Sequence, residues 1–118
     1  MKIIFGRENA EKFKDSYIVL ELDTFNVTNM GEIVTFCVLS AEEIPLGLLP
    51  ELPHWTDFHE KLLHGYRTKQ WNFCLDCISN LKGKLGGEID SFYDNLKQRI
   101  EVCKDDGVPD DWTHILQR

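Results

Sequence analysis

The chain has 118 residues, of which 42% are hydrophobic and 11% aromatic, with four cysteines and a formal net charge of −7. That is ample apolar material for a core, which excludes a disordered tail and predicts a single domain over residues 1–118, with a sheet-forming part to about residue 50 and a helical part after it. The acidic balance argues against nucleic acid or a membrane surface as partner, and no apolar run approaches the roughly 20 residues of a bilayer span, so a soluble cytoplasmic protein is expected.

Three segments, Lys2–Phe5, Tyr17–Phe25 and Ile33–Leu39, are rich in Ile, Val, Phe, Tyr and Thr and predict strands. In the second, Ile18, Leu20 and Leu22 alternate with Val19, Glu21 and Asp23, which points the first three inward. Asn29-Met30-Gly31 carries turn chemistry, with a positive φ expected at Gly31, and joins the second and third strands as a hairpin. Glu8–Asp15 is short and helix-prone, with Ala10 and Phe13 inward, giving the order β-α-β-β.

Residues 44–53 hold three prolines, Pro45, Pro50 and Pro53, which predict a strapped-down loop rather than a helix. Leu46, Leu48 and Leu49 are expected to pack between the sheet and the helices. From residue 54 the apolar period becomes helical. The stripes are Trp55, Phe58, Leu62 and Tyr66, then Trp71, Cys74, Ile78, Leu81 and Leu85, then Ile89, Phe92, Leu96, Ile100 and Cys103. Breaks at Arg67–Gln70 and Gly83–Gly87 are short enough to make successive helices antiparallel. Gly107 and Pro109 end the third helix, and Trp112 and Ile115 are expected to tuck a last short turn onto the bundle. The predicted fold is therefore α+β, a small mainly antiparallel sheet packed against a three-helix C-terminal bundle.

The motifs that suggest chemistry lack the context that chemistry requires. Cys74-Leu75-Asp76-Cys77 lies inside an amphipathic helix, whereas a redox pair sits at a helix N-terminus after a strand, and a structural zinc site needs four ligands. The four cysteines are therefore read as buried or half-buried thiols. His59 and His64 are five apart, which rotates the second ring about 140° around a helix, so they cannot share one ion. The histidines are read as surface residues. Gly83-Lys84-Leu85-Gly86-Gly87 follows a helix and lacks the P-loop spacing, so it reads as a helix end. No cofactor or metal is expected, and no residue is assigned a catalytic role.

Contact surfaces are the remaining candidates. Residues 1–60 carry eleven acids and four bases while residues 61–118 carry nine of each, so complementary patches are available. Glu42 and Glu43 represent the acidic half and Lys82 and Lys84 the basic stretch. Trp55 and Trp112 are the candidate apolar anchors, a role in which Trp is enriched. The edge strand of a short sheet also allows a homodimer through strand pairing.

Two resemblances add to this. Tyr66-Arg67, Trp71, Cys74, Leu81, Leu96, Arg99-Ile100, Pro109 and Asp111-Trp112 resemble the helical, tetratricopeptide-like tail that follows the catalytic domain of bacterial class III adenylate cyclases. That resemblance implies a helical hairpin used for contacts and, with the catalytic domain absent, no cyclase activity. Lys2-Ile3-Ile4-Phe5, Val19–Phe25 and Leu81–Tyr93 resemble a small uncharacterised accessory protein of large tailed phages of marine cyanobacteria. That implies a factor acting on a host or phage protein in the host cytoplasm. The expected function is thus non-enzymatic protein binding or regulation. The alternatives are a small-molecule enzyme with a site at the junction of sheet and bundle, around His54, His59 and Cys77, and a self-assembling structural component.

Overall fold

The computed structural model describes residues 2–117 and shows an α+β chain. Its described residues divide into two compact units, one running up to Ile44 and resuming at His114, the other Pro45–Thr113.

The first unit is a four-stranded mixed sheet in the order β1-β3-β2-β4. β1 (Lys2–Phe5) and β2 (Ile18–Val27) flank β3 (Gly31–Leu39), both antiparallel to it, and β4 (Leu116–Gln117) lies parallel to β2. The hairpin forms where turn chemistry predicts it, with left-handed backbone at Asn29 (φ 71°) and Gly31 (φ 79°). α1 (Arg7–Glu11) is shorter than its helix-prone segment and lies over the face that carries Phe36. There Ala10 is buried and the Arg7 guanidinium sits 5.7 Å from the Phe36 ring while pairing with Glu21 at 3.2 Å. β3 is paired along both edges, by β1 and β2, and its Phe36, Cys37, Val38 and Leu39 are all buried.

β4 corrects the expectation for the C-terminus. Trp112 does turn back onto the helices, but from His114 the chain belongs to the sheet unit, where Phe25 opposes Leu116 and the Asn26 amide donates to Gln117 Oε1 at 3.2 Å. A strand of two residues has no period to read. The proline-rich stretch is a second correction: where a loop is expected, residues 46–51 form a 3₁₀ helix, and Leu52 and Pro53 open the next α-helix, proline being tolerated in a first turn. Leu46 is left 84% exposed, with Leu48 and Leu49 half-buried.

The second unit holds α2 (Leu52–Arg67), α3 (Trp71–Leu81) and α4 (Asp90–Asp106). The three apolar stripes supply its core: Leu62, Tyr66, Cys74, Ile78, Leu81, Leu85, Ile89, Phe92, Leu96 and Ile100 are buried. α2 and α3 approach closely at Gly65, where an added Cβ would stand 2.8 Å from Phe73 Cδ2 and 3.2 Å from Cys74 Sγ. The Cys74 thiol donates to the Leu62 carbonyl at 3.7 Å across the same contact.

Candidate functional site

The most distinctive surface arises from an irregularity in β2. Leu20 opposes Cys37 and Glu21 opposes Phe36, but the next pair is Thr24 with Val34, so Leu22 and Asp23 together face Thr35. Such a bulge moves every later side chain to the opposite face. Thr35, itself buried, closes the bulge: its hydroxyl donates to the Asp23 carbonyl at 2.8 Å and accepts from the Asp23 N–H at 3.1 Å.

Past the bulge Phe25 opposes Ile33 and Val27 opposes Gly31, which puts Phe25, Val27 and Ile33 on one face with Ile3 and Phe5. Phe5, Phe25, Val27 and Ile33 line a depression of about 260 Å³ with no titratable side chain in its wall. Ile3 is 49% and Phe5 60% exposed, and Met30 at the hairpin tip is 70% exposed. A contiguous apolar surface of this kind characterises contact sites. Nothing in it can polarise a bond or move a proton, so its chemistry is burial alone.

The residues predicted as contacts lie elsewhere and are largely engaged within the chain. Trp55 is half-buried: its indole donates to Glu51 at 3.2 Å, and the Lys84 ammonium lies 5.4 Å from its ring. Lys82 pairs with Asp94 at 2.6 Å, a hydrogen bond that raises its pKa, while Asp90 accepts from the Gly83 N–H at 2.8 Å. Trp112 stands edge-on to Tyr66 and Trp71, with ring centroids 5.5 and 5.4 Å away. Glu42 and Glu43 are exposed in a 3₁₀ turn directly after β3. The structure thus brings Trp55 to Lys84 and closes Trp112 into an aromatic cluster.

His59 overturns the reading of surface histidines. It is fully buried in the second unit, and its Nδ1 lies 2.8 Å from the Tyr93 hydroxyl, itself fully buried. His54 is exposed and stacks on Phe58 with centroids 5.9 Å apart. Cys37, Cys74 and Cys77 are buried and Cys103 half-buried. Burial pushes the Cys37 and Cys74 thiols up to about 12, and burial followed by the Asp76 carboxylate raises Cys77. Thiols so displaced are protonated near neutral pH and are poor nucleophiles. Among the described residues, no three His, Cys, Asp or Glu side chains stand together as a metal site. No helix among them is long and apolar enough to cross a membrane.

The fold and this surface define an α+β protein with an exposed apolar sheet face. Compared with protein-family models, curated proteins and solved structures, the chain matches none.

Proposed function

We propose that this chain is a non-enzymatic protein-binding accessory factor, and that its contact surface is the apolar end of the sheet formed by Ile3, Phe5, Phe25, Val27 and Ile33. The observation that carries the reading is the depression among Phe5, Phe25, Val27 and Ile33, an apolar hollow bordered by the exposed Phe5 ring and with no titratable side chain in its wall. Hollows of this type take the aromatic or aliphatic anchor of a partner, and such anchors supply most of the energy of an interface. The raised thiols and the hydrogen-bonded, buried His59 weigh against the enzyme alternative built on His54, His59 and Cys77. The resemblance to phage accessory proteins supports a host or phage protein as partner and the host cytoplasm as the compartment.

The test is affinity capture by the tagged chain from infected and uninfected cyanobacterial lysates, beside an Ile33→Lys variant shown to be folded. A stoichiometric partner held by the wild type and released by Ile33→Lys is expected. A partner held equally by both would place the contact elsewhere and overturn this assignment.

A further inference from the structure

We propose that the outer edge of β1 receives an extended segment of the partner as an added strand, and that the segment carries carboxylates flanking its apolar residues. This rests on the protein-binding reading above and names the chemistry of its partner.

The backbone argument comes from register. The Gly6 N–H donates to the Val34 carbonyl at 2.8 Å, so Lys2, Ile4 and Gly6 turn their backbone groups toward β3. In an antiparallel ladder the intervening residues turn theirs away. Ile3 and Phe5 therefore aim N–H and C=O outward from a strand that ends the sheet among the described residues. The Asn9 amide donates to the Phe5 carbonyl at 2.9 Å from that side, which confirms the direction and leaves the carbonyl its second lone pair. An incoming strand would meet a short ladder, and its alternate side chains would lie beside Ile3 and Phe5 on the face of the apolar depression.

Charge selects the occupant. Lys2 stands at one end of the edge, and at the other the Lys12 ammonium lies 3.4 Å from Asn9 Oδ1, on the side chain that caps Phe5. The neighbouring cations are committed, Arg7 to Glu21 at 3.2 Å and Lys14 to Glu11 at 2.6 Å. A lysine at each end of a four-residue edge, about 13 Å long, complements a strand with acids about four positions apart and apolar residues between. A second copy fits poorly, because antiparallel pairing of two β1 strands brings the Lys2 of each toward the Lys12 of the other. Edge lysines deter self-pairing in just this way.

The probe is a fluorescein-labelled peptide, Ser-Glu-Val-Phe-Val-Glu-Ser, followed by anisotropy beside the same peptide with both Glu replaced by Lys. The wild type is expected to bind the acidic peptide at least about tenfold tighter, with the preference shrinking as salt is raised. Ile3→Pro removes an outward N–H without touching the β3 ladder and should weaken binding about tenfold. Lys2→Glu combined with Lys12→Glu, both exposed, should reverse the charge preference, which keeps the test sharp if the proline variant misfolds. Equal affinity for the two peptides, or unchanged binding by Ile3→Pro, overturns strand addition. A wild-type dimer in sedimentation velocity that Ile3→Pro dissociates also overturns it, in favour of a second copy. Failure of the acidic peptide while Ile33→Lys still releases the captured partner removes strand addition and leaves the protein-binding reading standing. If Ile33→Lys also keeps that partner, both fall.

Discussion

Tyr93→Phe separates a structural His59 from a functional one. The hydroxyl it deletes lies 2.8 Å from His59 Nδ1 between α2 and α4, with both side chains fully buried. Phe retains the ring, so the cavity contribution is small and the loss is that of a hydrogen bond at a buried ring nitrogen, about 1–3 kcal/mol. In a chain of this length that lowers Tm by about 3–12 °C. Urea unfolding followed by Trp fluorescence measures it: the midpoint should fall while the slope with denaturant stays constant. Combining His59→Leu with Tyr93→Phe removes both polar partners and should recover part of the loss. Partner binding should be unchanged in the folded single variant. A Tyr93→Phe protein within about 0.3 kcal/mol of wild type would show that the pair contributes nothing measurable to the fold, contrary to the usual cost at a buried polar group.

Thr35→Val is nearly isosteric but removes both bonds that close the β2 bulge, so a loss of about 2–3 kcal/mol is expected in the same denaturation assay. Trp112→Ala breaks the edge-on contacts with Tyr66 and Trp71 and should cost about 2–4 kcal/mol, with affinity for the partner retained once folding is confirmed. Because burial raises the Cys37 and Cys74 thiols from 9.0 to about 12, the native state holds protons that the unfolded chain releases. Stability should therefore be intact below about pH 9 and fall progressively between there and about pH 12. At pH 8 a thiol reagent should modify Cys103 first and reach Cys37 and Cys74 only on unfolding, as a mass-resolved time course would show.

The three long helices are legible in the sequence from their apolar period, and the three principal strands from their content of Ile, Val, Phe, Tyr and Thr. Stripes such as Leu81, Leu85, Ile89 and Leu96 are buried where the pattern puts them. The apolar end of the sheet is not legible in the sequence because it depends on a break in period. Strict alternation groups Phe25 with Val19 and Glu21, and only the extra residue opposite Thr35 carries Phe25 and Val27 to the face of Phe5 and Ile33. A usable signal was present: Ile3, Ile4 and Phe5 are apolar at successive positions, which an edge strand covered on one face does not require. The burial of His59 is not legible in the sequence because its partner, Tyr93, is 34 residues away, and nothing local marks a buried hydrogen bond. Lys82 and Lys84 look available in sequence, but folding sets them against Asp94 and the Trp55 ring.

We propose that partner binding runs through the apolar end of the sheet rather than through the charged and tryptophan-bearing surfaces. The most direct test is the affinity of the captured, purified partner for four folded proteins: wild type, Ile33→Lys, Glu42→Lys with Glu43→Lys, and Lys82→Glu with Lys84→Glu. Loss of about a hundredfold in Ile33→Lys, with the charge variants within a few-fold of wild type, is the predicted result. Undiminished binding by Ile33→Lys together with loss in either charge variant would contradict it.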